Sequence, residues 1–348
     1  ALERWKLAAP ANYFDGDPFL HSVLERLLDR GLGEAIPHLR EVGAAAAGPM
    51  QNLAARCGAD ANLPHVESSD TIGRPREEVV FDPSYHELGR LFWASRVLAV
   101  LEEPGHEVLG GATAYLMDHN GEAGHACPVA CTAGAIKLLQ REGTTDQKRR
   151  YLEGLLSSDY DRRLHAAQFV TELQGGSDVG ANECRAKPDP ELTGWYRLRG
   201  EKWFCSVADA GLFVVSARVD GAPSGTAGLG LFLVPRHIDG RVNGFRLRRL
   251  KYKLGTRSMP TGEIEFEDAL GESIGRLDRG FKNLVSIVLD TSRVHNAVAA
   301  CGIMRRTLVE AHAYAANRHA FGQPIADFPA VQEILANIKL RTRAALCT

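Results

Sequence analysis

Gln168-Phe-Val-Thr-Glu-Leu-Gln-Gly-Gly-Ser-Asp178 reads as a strand running into a glycine-rich turn. Gly175 and Gly176 let backbone amides approach an anion or a flat ring, and Ser177 adds a hydroxyl donor. Alone the turn is weak, because hairpins with Gly-Gly-Ser are common; its surroundings decide its meaning. The apolar period changes around His165. Beyond it, strand-like runs fall at 166–171, 195–204, 212–219, 229–235, 245–250 and 261–267, separated by Gly, Pro, Asp and Ser. Glu263-Ile-Glu-Phe-Glu267 alternates polar and apolar, as a half-exposed strand should. The block is expected to form a mostly antiparallel β domain over 166–272.

Outward in both directions the spacing is helical. Asp17-Pro18 offers an N-cap with proline at the first helical position, followed by Leu20, Val23, Leu24 and Leu27. Pro49 to Pro75 has weak periodicity and reads as a loop. Ser84 to about Glu102 predicts one helix through Leu88, Leu91, Phe92, Val97, Leu98 and Leu101. Another runs from about Pro128 to Arg141, and Thr145 caps a short one carrying Tyr151, Leu152 and Leu155. Helices resume near Gly280, one from Leu284 to about Asn317 and a second from near Pro329. The fold class is therefore α+β: an N-terminal helical domain over 1–165, the β domain, and a C-terminal helical bundle beginning at 273. That bundle reaches Thr348 without the further helices that would cover its apolar faces, so the chain reads as part of something longer.

A 45% hydrophobic and 24% charged composition is ordinary for a globular chain, and a net charge of −2 argues against a dominant electrostatic partner such as bulk nucleic acid. The seven scattered cysteines form no secreted framework, which points to a cytoplasmic protein. Cys127 and Cys131 can share a helix face near His125, either as a metal site or as small buried residues; no second ligand pair with zinc spacing follows, so no metal is assigned. No apolar run reaches the roughly 20 residues needed to span a bilayer.

The motifs carry a family resemblance. Thr171-Glu-Leu-Gln-Gly-Gly-Ser-Asp178 resembles the TE-x-x-x-GSD signature of acyl-CoA dehydrogenases. Glu201-Lys-Trp-Phe-Cys-Ser206, Lys253-Leu-Gly-Thr-Arg257 with Ile264-Glu-Phe-Glu267, Arg318-His-Ala-Phe-Gly322 and Thr145-Asp-Gln-Lys-Arg-Arg-Tyr-Leu152 are similar to further family motifs, in the same order. The missing proline after Glu172, Lys202-Trp-Phe-Cys-Ser206 and Arg249-Leu-Lys-Tyr-Lys-Leu-Gly-Thr-Arg-Ser258 look closest to the AidB-like branch, the alkylation-response flavoproteins, with Thr256 replacing an asparagine.

The resemblance implies the acyl-CoA dehydrogenase fold, an FAD cofactor and α,β-dehydrogenation of an acyl-CoA thioester. Carried over, Gln168, Val170 and Thr171 line the flavin ring, while Phe204, Cys205 and Ser206 flank its other side, Phe204 in a place most relatives give to tryptophan. Gly176 and Ser177 lie by the pyrophosphate, Ser177 also near the substrate's pantetheine. Asp290 and Arg293 contact the acyl-CoA or form a helix-face salt bridge. Arg318 and Phe321 reach the FAD of a neighbouring subunit, which implies a homo-oligomer, a dimer of dimers; an electron-transfer partner also follows. The catalytic glutamate is expected beyond Thr348, since the alternative position is Ser292; no catalytic residue is assigned. Pro329 stands where relatives often carry glutamine, and the glycine-rich adenine-ribose segment is absent. The alternative is a DNA-associated flavoprotein protecting against alkylation damage with little turnover, for which Arg246, Arg248, Arg249, Lys251, Lys253 and Arg257 offer a basic stretch that a solvated β edge explains as well. A nicotinamide reductase fits poorly, because Gly228-Leu-Gly230 lacks the third glycine and feeds a strand.

Overall fold

Two runs of apolar residues organise the sheet of the computed structural model, which describes residues 2–28 and 31–348. Strands β6 (Leu212–Val219) and β7 (Leu229–Pro235) are buried along nearly their whole length, so they read as continuous rather than alternating hydrophobic segments. They pair antiparallel from Leu212↔Pro235 to Arg218↔Leu229. With β4 (Arg185–Pro188), β5 (Trp195–Ser206) and β11 (Thr261–Ser273) they form a closed ring in the order β11–β5–β4–β6–β7 and back to β11. Each of those five strands therefore has a partner on both sides over part of its length. Phe169, Phe213, Phe232, Phe245 and Phe266 fill the core.

Two edges are shared in succession. β11 takes β10 (Phe245–Leu250) on Gly262–Phe266 and β7 on Glu272–Ser273. β6 takes β3 (Ala166–Phe169) on Leu212–Val215 and β4 on Arg218–Val219, both parallel. The glycine-rich turn is the chain that leaves β3 and returns as β4. The expected β6, β7 and β10 spans match, β11 runs on to Ser273, and β4 went unread. The block is mostly antiparallel, with two parallel pairings.

Helices α5 (Pro83–Ala94), α7 (Ala123–Glu142) and α8 (Thr145–Leu155) belong to the same compact unit, which comprises Cys57–Glu102 and Ala123–Val294. Asp82 caps α5 by accepting the Ser84 N–H at 2.9 Å, with Pro83 at its first position. The expected helix through Glu102 breaks at Arg96, whose φ is 60°, and resumes as a 3₁₀ turn at Ala99–Glu102. α7 begins five residues before Pro128. That proline has no N–H for the carbonyl of Gly124, and the Tyr85 hydroxyl donates to it instead at 2.9 Å. The cap of α8 is Thr144, not Thr145: its hydroxyl accepts from the Gln147 N–H, and the Gln147 side chain accepts from the Thr144 N–H. The segment expected as a loop holds α4 (Pro49–Cys57) and a hairpin of β1 (His65–Ser69) and β2 (Pro75–Val80).

The other compact unit comprises the chain up to Arg56, Glu103–Glu122 and His295–Thr348. In it Asp17 caps α2 (Pro18–Leu28) as expected, accepting the Leu20 N–H, and Leu20 and Leu24 are buried while Leu27 is exposed. The same carboxylate accepts from the Tyr115 hydroxyl at 2.7 Å and pairs with Arg305 at 3.1 Å. Tyr115 lies on α6 (Glu107–Met117) and Arg305 on α10 (Asp290–Asn317). Gly302 lets the two helices meet: a Cβ there would lie 2.6 Å from the Tyr115 carbonyl oxygen. α11 (Pro329–Cys347) buries only Leu335 and Thr342 and leaves Ile334 and Leu340 exposed.

Candidate flavin-cradle site

The glycine-rich turn is held by a buried ion pair. The Lys202 ammonium, fully buried on β5, lies 2.8 Å from Glu172 and donates to the Val170 carbonyl at 3.2 Å. Glu172 also accepts the backbone N–H groups of Glu183 and Cys184, so one carboxylate joins the turn's start, its end and the neighbouring strand. Asn182 donates to Val170 O at 2.7 Å, and the Trp203 N–H donates to Thr171 O at 2.9 Å, prolonging the β3 line alongside β5. Across the turn, the Arg218 guanidinium donates to the carbonyls of Gly180, Asn182, Pro223 and Gly225 at 2.6–3.2 Å. Gly175 has φ 144°, and a Cβ on Gly176 would lie 2.9 Å from the Thr171 hydroxyl. Only a glycine at position 176 closes that tightly on Thr171.

The expected ring-flanking residues fall into two groups. Val170, Thr171, Phe204 and Ser206 are half-exposed or exposed on adjoining lines, Phe204 at 56%. Cys205 is placed differently from its neighbours. Alternation along β5 turns its thiol into the core, fully buried, so only its backbone can serve the exposed face. Gly176 and Ser177 are exposed at the turn. Gln168 is half-buried, its amide 3.0 Å from the Ser292 hydroxyl, which also lies within 3.3 Å of the Ala130 and Val288 carbonyls. Ser292 is thus an orienting group, buried and bonded.

Ser292 follows a stretch that departs from α geometry. α9 (Gly280–Asn283) runs into a π-helical turn at Leu284–Leu289 before α10 begins. Such turns often mark functional sites, and the apolar period of the sequence does not reveal them. Gly134 of α7 lets Val288 approach, since a Cβ there would stand 3.0 Å from its carbonyl oxygen. Asp290 and Arg293 form an i,i+3 ion pair at 2.8 Å, both exposed.

Arg318 and Phe321 lie in the other compact unit, at a two-residue ladder of β12 (His319–Ala320) and β13 (Gln323–Pro324). Phe321 has φ 52° and is 98% exposed at the turn.

The basic stretch is neutralised where it lies. Arg246 and Arg248 pair with Glu265, Arg248 also with Glu201, Arg249 and Lys251 with Glu263, and Arg257 with Asp60. Lys253 donates to Met259 O and the Thr261 hydroxyl. Bonds from Arg249 hold the Glu263 carboxyl below its ordinary range, and bonds from Arg246 and Arg248 do so for Glu265. This strand therefore presents charge pairs rather than free cations. Among the described residues no group of three His, Cys, Asp or Glu side chains is placed to hold a metal ion. His125 stacks on Tyr85, and burial lowers its pKa to about 3. No described helix is long and apolar enough to cross a membrane.

Known families match in chain order: the adaptive response protein AidB N-terminal domain at residues 6–162, the acyl-CoA dehydrogenase middle domain at 167–269, and the acyl-CoA dehydrogenase C-terminal domain at 278–348. Acyl-CoA dehydrogenase family member 11 of Caenorhabditis elegans is 32% identical over 96% of this chain and 56% of its own length. The putative acyl-CoA dehydrogenase AidB of Escherichia coli (strain K12) is 33% identical over 81% of this chain and 53% of its own. The crystal structure of Caenorhabditis elegans ACDH-11 in complex with C11-CoA superposes with a TM-score of 0.88 at 30% identity, covering 94% of this chain and 57% of that one. The chain spans about half the length of the curated relatives it matches. With its fold, its motif order and these matches together, the chain belongs to the acyl-CoA dehydrogenase family, as an AidB-like member.

Proposed function

We propose that this chain forms the FAD-bearing part of an acyl-CoA dehydrogenase that carries out α,β-dehydrogenation of an acyl-CoA thioester. The observation that carries the reading is the clamped turn: Glu172, Lys202 and Arg218 fix the Gly175-Gly176 turn beside a strip of half-exposed residues. The residues fit the cofactor. Gln168, Val170, Thr171, Phe204 and Ser206 would border the ring, Gly176 and Ser177 the pyrophosphate, and Ser177, Asp290 and Arg293 the acyl-CoA. Phe204, more than half exposed, is an apolar edge awaiting a planar partner that would shed water from both. Bound there, FAD supplies the hydride acceptor for the β hydrogen. Ser292 sets the Gln168 amide; it carries no carboxylate to take the α proton. Arg318 and Phe321 would serve the FAD of a second copy in a homo-oligomer. The three-domain division 1–165, 166–272 and 273–348, a cytoplasmic location and an electron-transfer partner are part of the same proposal.

The test is a flavin spectrum of the purified protein, followed by anaerobic titration with acyl-CoAs of several chain lengths. A colourless protein that takes up no added FAD would sink the cofactor assignment, and a yellow one that no acyl-CoA bleaches would sink dehydrogenation. The similarity to AidB is consistent with a second reading, association with DNA. A mobility shift weakening steeply with salt would favour it, and the paired β10 cations should not be its source.

A further inference from the structure

We propose that a cleft lined by His119, Trp5 and Tyr314 binds an uncharged aromatic alcohol, whose hydroxyl donates to His119 while its ring lies against the two aromatic side chains. The cleft measures about 760 Å³ and takes its walls from α1 (Leu2–Leu7), α4, the 3₁₀ turn Asp118–Asn120 and α10. All of its lining residues belong to one compact unit, the one that holds Arg305 and Tyr115. Small-molecule sites are mostly apolar clefts of about 300–1,000 Å³ carrying a few placed polar groups. None of the residues assigned above to the flavin or the acyl-CoA lines this one.

The polar group at its wall is a buried histidine whose tautomer is fixed. His119 is only 3% exposed. Its Nδ1 lies 2.8 Å from the Tyr115 carbonyl. A carbonyl can only accept, so Nδ1 carries the proton and Nε2 keeps its lone pair. Tyr13 stacks on the imidazole with centroids 4.7 Å apart, and Tyr115 meets it at right angles at 4.9 Å. With its Nδ1 taken and Tyr13 and Tyr115 packed on it, the ring presents its Nε2 edge to the cleft. Nε2 has no partner among the described residues. Burial lowers the His119 pKa to about 4, so near pH 7 it is a neutral acceptor.

The remaining lining decides the class of ligand. Arg306 and Glu310 stand one turn apart on α10 and pair at 2.6 Å, so the cleft offers an ion no free counter-charge. Ala54, Ala55 and Ala311 leave room between the walls. The Trp5 and Tyr314 rings stand perpendicular with centroids 5.7 Å apart, and Tyr314 and Ile303 are 37% and 46% exposed. A flat ring laid there would shed water from both sides of the contact. Two further polar atoms of the lining are buried without partners, the acceptor Asn120 Oδ1 and the donor Trp5 Nε1. A hydroxyl both donates and accepts, which suits a wall with acceptors and a donor to spare.

The experiment is calorimetric titration of the purified protein at pH 7 with 2-naphthol, 2-methoxynaphthalene and 2-naphthoate. It needs neither FAD nor acyl-CoA, so its outcome is independent of the proposed function. 2-Naphthol should bind, and its methyl ether, which cannot donate, should bind about tenfold more weakly. The carboxylate should do no better than the ether. Ala55→Trp fills the cleft from an exposed position and should abolish binding at an unchanged melting temperature. His119→Phe keeps a flat ring and should erase the advantage of 2-naphthol over its ether; should that variant fail to fold, Ala55→Trp still decides. Absence of 2-naphthol binding, equal affinity for 2-naphthol and its ether, tighter binding of the carboxylate, or a titration unchanged by Ala55→Trp overturns the proposal.

Discussion

Breaking the Glu172–Lys202 pair should expose how much of the turn's order rests on it. The Lys202 side chain is fully buried and that of Glu172 is 4% exposed, so neither charge has solvent to fall back on. Removing one member of a buried pair costs about 3–5 kcal/mol, chiefly from the charge left behind. The two ends of that range belong to different variants. In Lys202→Met the surviving carboxylate keeps the N–H groups of Glu183 and Cys184, so the cost should sit near 3 kcal/mol. In Glu172→Ala the ammonium keeps only the Val170 carbonyl, and the two N–H groups lose their acceptor at about 1–3 kcal/mol each, so 5 kcal/mol or more is expected.

The double variant Glu172→Gln/Lys202→Met separates charge from scaffolding. Glutamine still accepts from Glu183 and Cys184, and no unpaired charge remains, so the loss should shrink to about 1–2 kcal/mol. Urea unfolding gives the three values, and the double variant should be more stable than Glu172→Ala. The reasoning is refuted if Lys202→Met falls within about 1 kcal/mol of the parent, or if the double variant loses as much as the singles added together.

Arg218→Lys keeps the charge but replaces a fork reaching four carbonyls with a point donor, and should weaken FAD retention more than it lowers the midpoint of unfolding; equal retention would show that the turn holds itself. Gly302→Ala should destabilise by about 1–3 kcal/mol in urea unfolding, because the new methyl meets the Tyr115 carbonyl oxygen rather than a yielding side chain. Burial, with Glu122 beside it, raises the Asp118 pKa to about 8. Its ionisation is therefore disfavoured in the folded state, so the parent's stability relative to Asp118→Asn should be highest near pH 4 and decline as pH rises to about 8. A pH-independent difference in melting temperature would contradict that burial effect.

The sheet was legible because its signals are local. β6 and β7 announce themselves as mostly apolar runs, with Ser216 and Arg218 inside β6, and Asp220 and Arg236 follow their last residues. β4 carries too little apolar signal to be read, being four residues with two cations and only Ala186 buried. The β1–β2 hairpin is similarly polar, with Gly73 at φ 82° in its turn. The π turn at Leu284–Leu289 was invisible for a different reason: one extra residue per turn leaves the apolar spacing within the tolerance of an ordinary helix.

The motif letters do not by themselves separate exposed from buried positions, and Cys205 shows why. A motif transfers as a block of adjacent letters, whereas a strand sends adjacent letters to opposite faces. Phe204 and Ser206 therefore share the exposed strip while Cys205 and Lys202 face inward. The same division runs through the turn, where Thr171 borders the strip and Glu172 is buried beneath it. Lys202 and Glu172, thirty residues apart, were each quoted within a motif, yet nothing in spacing says that one ion pair joins them. The motif letters thus combine two kinds of position, an exposed face and a buried frame that holds the face. Alternation separates the two once a strand is known. Identifying which frame residues meet each other requires the fold.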